Sequence, residues 1–250
     1  MNVLALFVWM SLWYFVAKKR NRLDTVDTAW GTGFMLVATI AALQNSRLIN
    51  HIILVLVYIW GIRLSTHIYK RNQRHKDDPR YLEIASKWQG NYWLRAYFSI
   101  FLFQALLILI ISLPITFAAG NLSGKNYHLL IGLGLADWLF GFIYESIADR
   151  QLNNFVRNPK NKGKIMQSGL WRYSRHPNYF GEITQWLGIA VLAMVAVYGW
   201  VGLAGPIFLA LLITFVSGLP LIEKRRAKDK AYQAYKKRTG AIIPWPPRRA

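Results

Sequence analysis

Seven apolar runs dominate the chain, near residues 2–17, 27–43, 51–68, 96–118, 128–147, 184–203 and 206–222, and the gaps between them alternate in basic content. Several runs approach or exceed the roughly 20 residues that a helix needs to cross a bilayer. Of the 31 Lys and Arg residues, 28 fall in one set of alternate gaps and 2 in the other; the last, Arg63, lies inside the third run. An excess of Lys and Arg marks cytoplasmic loops. The pattern predicts an all-α, multi-pass membrane protein of about seven transmembrane helices, N-terminus outside and C-terminus cytoplasmic. Past Glu223, Tyr232 and Tyr235 sit at helical spacing before Pro244, Pro246 and Pro247, so a cytoplasmic C-terminal helix is expected.

Composition excludes several classes. With 54% hydrophobic and 17% charged residues the chain has too much apolar surface to stay disordered. It has no cysteine, hence no disulfide framework, thiolate metal site or cysteine nucleophile. A net charge of +20 would suit a nucleic-acid binder, but the basic residues lie in the gaps between apolar runs, which points to membrane lipids and not to nucleic acid. The first run has no basic segment ahead of it and Lys18–Lys19–Arg20 behind it, which suits a span better than a signal peptide. Without repeats or Gly/Ser linkers, residues 1–250 read as one membrane domain, with N-terminal helices over 1–118 and a second half over 128–250. Neither GxGxxG nor GxxxxGK[ST] occurs, and the histidines lack HExxH-type spacing, so no soluble nucleotide fold or metal site is indicated.

Ionisable residues inside apolar runs are functional candidates, because hydrocarbon requires them to be paired, hydrated or neutral. Arg63 and His67 are four apart and share a helical face; Arg63 either snorkels to the cytoplasmic side or meets an acid or phosphate in an internal cavity. Glu145 and Asp149 are also four apart, as a solvated helix-end pair, as partners of Arg63 or Arg150, or as acceptors for a ligand's hydroxyls and amide. Asp137 is expected to face the bundle interior, and Asp27 either does so too or caps the second helix.

The segment 163–182 is the densest in chemistry. Lys164, Arg172, Arg175 and His176 are cationic donors suited to phosphate oxygens, and Tyr173 and Tyr179 offer faces for a stacked base. Pro177 biases His176 toward an extended shape, and Asn178 can cap the following helix. The segment either lies on anionic headgroups or holds a polyanionic ligand; the mixture of Arg, His, Asn, Tyr and Glu182 favours the ligand.

Gly169–Leu170–Trp171–Arg172–Tyr173–Ser174–Arg175–His176–Pro177–Asn178–Tyr179–Phe180–Gly181–Glu182 resembles the signature of the steroid 5-alpha-reductase-like membrane family, closest to its bacterial branch. Glu145-x-x-x-Asp149 is similar to that family's Asn/Glu-x-x-x-Asp pair, and Tyr235 with Ala241–Ile242–Ile243–Pro244–Trp245 to its closing motif. The match covers about residues 140–250 and, loosely, 60–72. The resemblance implies a seven-helix fold, of a bacterial inner membrane, that binds NADPH in its C-terminal half. It also implies reduction of a carbon–carbon double bond conjugated to a carbonyl in a lipophilic substrate. By position, Glu145 and Asp149 would hold cofactor hydroxyls or the carboxamide. Lys164, Arg172 and Arg226 would meet phosphates; Tyr173, Asn178, Glu182 and Tyr235 would line the nicotinamide or adenosine.

Hydride delivery to an enone builds negative charge on its oxygen, so a donor must stand there. The family's Glu and Tyr for that task have no clear counterpart here; Tyr58 and His67 are the donor candidates, and ordinary packing is the alternative for both. Arg175–His176–Pro177-x-Tyr179-x-Gly181–Glu182 also resembles isoprenylcysteine carboxyl methyltransferase-like proteins, which bind S-adenosylmethionine. Their tail carries Glu-Glu and Thr-Pro; this chain has Glu223–Lys224 and Thr239–Gly240.

Overall fold

The computed structural model describes residues 1–73, 78–122 and 127–248, and every regular element among them is helical. In chain order these are α1 (Asn2–Arg20), α2 (Thr25–Gln44), α3 (Leu48–Asn72), α4 (Pro79–Ala85), α5 (Tyr92–Ile111), α6 (Leu113–Ala118), α7 (Tyr127–Arg157), α8 (Pro177–Ala193), α9 (Gly199–Arg225) and α10 (Lys230–Arg238). Five of them, α2, α3, α5, α7 and α9, are long and apolar enough to cross a membrane. Of the other two expected spans, α1 is helical over 19 residues and ends in Lys18–Lys19–Arg20, and α8 has 17 residues.

One boundary differs from the sequence reading. The break placed at 204–205 lies instead at 194–198, between α8 and α9. Gly199 permits it, since a Cβ there would sit 1.8 Å from the Ala193 carbonyl oxygen. The Gly205–Pro206 pair falls instead inside α9, in the first turn of its α-helical stretch Ala204–Leu211. Neither stretch carries Lys or Arg, so the charge alternation is unaffected.

The chain divides into two compact units, Met1–Gly124 with Ala193–Ala204, and Lys125–Leu192 with Gly205–Ala250. In the first, α2 packs on α3 through glycine: a Cβ at Gly31 would meet the Ser65 hydroxyl at 2.5 Å and the Gly61 carbonyl at 2.9 Å. Trp30, Phe34 and Trp60 pack edge to face beside this crossing. Asp27 is not the helix cap, a position that Asp24 holds. Asp27 accepts from Arg80 (2.6 Å), Arg71 (3.4 Å) and the Tyr81 hydroxyl, joining the start of α2 to the end of α3 and to α4. Burial, reinforced by Asp27, raises the Tyr81 pKa, so its hydroxyl stays a donor.

In the second unit α7 and α8 carry glycines seven residues apart on facing sides, Gly134 and Gly141 against Gly181 and Gly188. A Cβ at Gly181 would lie 2.6 Å from the Glu145 amide nitrogen, and one at Gly141 2.6 Å from both the Gln185 nitrogen and the Gly181 carbonyl. Small residues let helix backbones approach where lipid offers no hydrophobic drive for association. In α9 a π-helical stretch, Leu212–Val216, leads into a bend at Ser217–Gly218. Gly218 leaves room for the Tyr179 ring, 3.0 Å from where a Cβ would be.

Candidate functional site

The 168–176 segment of the second unit is held by the chain's own tail. Ser174 donates to the carbonyls of Ile242 (2.7 Å) and Ala241 (3.2 Å), and the Arg175 amide donates to Gly240 at 2.9 Å. The Trp245 amide donates to the Tyr173 carbonyl (3.0 Å), and the Tyr235 hydroxyl to the carbonyls of Trp171 and Ser174. On its other side the segment is tied to α7, where the Trp171 indole donates to the Ala148 carbonyl (3.0 Å) and the Leu170 amide to the Gln151 side chain (2.9 Å). Gly169, at φ +60, makes the turn; a Cβ there would strike Gln151 at 2.5 Å. Fixed on two sides, the segment stands over a hollow.

That hollow is a cavity of about 340 Å³, within the range of small-ligand sites. Of the residues expected to bind a cofactor, Lys164, Arg175, His176, Asn178, Tyr179, Arg226 and Tyr235 line it together. Trp171, Met166, Ile222 and Tyr232 complete much of its apolar wall. The Nε2 atom of His176 and the Oδ1 atom of Asn178 are buried with no hydrogen-bond partner among the described residues. Buried polar atoms left in this way point to a missing polar ligand or water.

Two charges differ from the sequence reading. His176 is no cation: burial, helped by neighbouring Arg175 and only partly opposed by Glu223, pushes its pKa down to about 4. Its neutral ring stacks on Tyr179, centroids 5.1 Å apart. Arg175, only 7% exposed, is held by protein through its terminal nitrogens, which donate to the carbonyls of Thr239 (3.0 Å) and Lys236 (3.1 Å) and pair with Glu223, which also takes Lys236 (2.6 Å); its Nε atom is buried with no hydrogen-bond partner among the described residues. Its role is to hold the tail against the cavity wall. Burial also raises the Tyr235 pKa, keeping its hydroxyl a donor to the loop carbonyls.

The remaining candidates lie elsewhere. Glu145 is buried on α7 and accepts from the Gln185 side chain; Asp149 lies one turn further on, half-buried. Glu182 is half-buried on α8, and Tyr173 is 41% exposed, with the Arg172 guanidinium 6.0 Å from its ring centre. Arg172 lines a second cavity with Tyr235. Tyr58, Arg63 and His67 are on α3 of the first unit, where the Tyr58 hydroxyl shares a 2.8 Å hydrogen bond with Thr39. Sequence reasoning did not single out Gln151, Gln185 or Ser174 for any role. A clue existed only for Ser174, which lies within the motif.

Comparison with known proteins places the chain. Residues 13–239 match the family described as "Protein of unknown function (DUF1295)". An uncharacterized protein of Schizosaccharomyces pombe is 27% identical over 97% of this chain and 77% of its own length. The 3-oxo-5-alpha-steroid 4-dehydrogenase 1 of Homo sapiens is 34% identical over 47% of this chain, and that of Bos taurus 41% identical over 27%. These two alignments span 42% and 26% of those enzymes' lengths. No solved structure matches. The signature over 169–182, the tail that clamps it and the family match over most of the chain lead to one conclusion: the protein belongs to the DUF1295 family, of steroid 5-alpha-reductase-like membrane proteins.

Proposed function

We propose that this protein is a membrane-embedded, NADPH-dependent reductase of a carbon–carbon double bond conjugated to a carbonyl in a lipophilic, steroid-like or isoprenoid substrate. The observation that carries the reading is the one cavity lined by seven of the residues expected to bind the cofactor, in a chain similar to 3-oxo-5-alpha-steroid 4-dehydrogenases. The residues suit the group: Lys164 and Arg226 bring positive charge for phosphates, and Asn178 and neutral His176 offer amide and imidazole partners to a carboxamide. Tyr179 and Trp171 supply flat apolar faces. When bound, the cofactor supplies the hydride; the protein's part is orientation and exclusion of water. Glu145 and Asp149 remain proposed acceptors for cofactor hydroxyls, and the basic segments are assigned to the cytoplasmic side, in a bacterial inner membrane.

A proton must reach the developing enolate, and Tyr58 and His67 are the proposed donors. Nine residues apart on one helix, they are separated by about 13.5 Å of rise and point to opposite faces, so only one of them can serve a given carbonyl. Arg63 shares the face of His67 and would stabilise the same charge.

Tryptophan fluorescence of the purified protein tests the reading, since Trp171 is in the cavity wall. Saturable quenching by NADPH, weakened about tenfold in Asn178→Ala and in Lys164→Ala with the protein still monodisperse, is the expected result. Normal NADPH binding by both variants would remove the assignment. Saturable S-adenosylmethionine binding would replace it with the methyltransferase, a reading that no relative found here supports.

A further inference from the structure

A second cavity of about 490 Å³ lies in the same unit, lined by Gln167, Ser168, Gly169, Arg172, Arg238 and Arg248 among others, and sharing Tyr235 with the first. Its three arginines come from stretches of sequence 66 and 10 residues apart, brought together by the tail clamp. Arg172 ends the turn Gly169–Arg172, and its carbonyl accepts from the Thr239 hydroxyl at 3.4 Å. Arg238 donates to Gln167 at 3.3 Å, and the Arg248 amide donates to the Arg238 carbonyl at 2.9 Å. No carboxylate lines the cavity, and no ion pair described in the structure includes any of the three. Four other arginines, Arg22, Arg80, Arg175 and Arg226, each have an acid.

We infer that this cavity is a phosphate-monoester site, with Arg172, Arg238 and Arg248 as its donors. Guanidinium forks match a terminal phosphoryl group, whose several oxygens can each take a charge-assisted hydrogen bond. The serine hydroxyl of Ser168 and the Gln167 amide stand in the same wall and can complete the set. Two sources carry this chemistry: the 2′-phosphate that distinguishes NADPH from NADH, and the headgroup of an anionic lipid such as phosphatidic acid. The site stands on its own geometry; only attribution of its occupant to the cofactor rests on the reductase reading.

The test uses the full-length protein in nanodiscs of uncharged lipid, titrated calorimetrically with inorganic phosphate at constant ionic strength. Saturable binding is expected, weakened about tenfold or more in Arg238→Gln/Arg248→Gln and less in Arg238→Lys/Arg248→Lys, which keeps the charge but loses the fork. Absence of binding in the natural protein, or equal binding in the glutamine variant, overturns the site. Two further arms identify the source. If the glutamine variant's NADPH affinity falls to that for NADH while NADH binding is unchanged, the site takes the 2′-phosphate. If NADPH binding is unchanged and retention on phosphatidic-acid vesicles falls, the site takes a headgroup. A natural protein that takes phosphate but neither nicotinamide cofactor would refute the reductase reading and leave the phosphate site supported.

Discussion

Ion pairs occur in both units, but in the first they tie helices together, whereas in the second they stand beside a hollow lined by buried polar atoms that lack partners. Asp27 gathers Arg71, Arg80 and Tyr81, Asp78 takes Arg80 as well, and Asp24 takes Arg22. That network fastens α2, α3 and α4 together. In the second unit, Arg175 is directed at the carbonyls of Lys236 and Thr239, while Lys164, Arg226 and the neutral His176 border the cavity. The difference separates charges that stitch helices from charges and rings arranged around space for something else. A ligand site is recognised here by polar groups whose partners are incomplete, more than by their number.

The contrast can be broken at several points, with effects of decreasing size. Gly181→Val should be the most severe, because the Cβ alone would sit 2.6 Å from the Glu145 amide nitrogen, a backbone atom that cannot give way. A loss of about 3 kcal/mol or more is expected, read as failure to accumulate or as a large fall in thermal midpoint in detergent. Glu223→Ala should come next, at about 3 kcal/mol, because it strands the buried Arg175 guanidinium. It should also release the tail, and faster amide exchange over 239–245 by mass spectrometry would reveal that.

His176 sets a pH dependence in the second unit. Its folded pKa of about 4 lies below the ordinary 6.5, so the unfolded chain takes up the proton first as pH falls. Stability is therefore complete above about pH 6.5 and is lost progressively down to about pH 4, by about 3 kcal/mol in total. Thermal midpoints of the natural protein and His176→Gln should converge across that window; a constant separation would show that the imidazole titrates normally. Arg71→Ala in the first unit should be the mildest change. The Arg71–Asp27 pair is 3.4 Å long and nearly half-exposed on the arginine side, so a loss under about 0.5 kcal/mol is expected in the same melting assay.

Much of the helical frame was readable from apolar runs: those at 27–43, 51–68 and 128–147 fall on long helices, and that at 96–118 covers most of α5 and, past Ser112, the short α6. The turn at 194–198 was not, because Met194–Val195–Ala196–Val197–Tyr198 is as apolar as a helix interior and only Gly199 marks it. The sequence reading named seven of the residues that line the cavity but could not assign work among them. Arg175 and Lys164 look alike in sequence and both border the hollow, yet only Arg175 also ties down the tail, through Glu223 and two carbonyls about 50 to 65 residues away. The Asp27 cluster was hidden for the same reason, since Arg80 and Tyr81 lie more than 50 residues from it.

The clamp over 168–176 also sets an order of events during synthesis. Ser174, Arg175 and Tyr173 find tail partners in residues 236–245, so a ribosome must translate about 60 to 70 further codons before this part of the molecule can close. The glycine contacts of α7 and α8 need no residue of that tail, whereas the recess beside them closes only after the tail has been made.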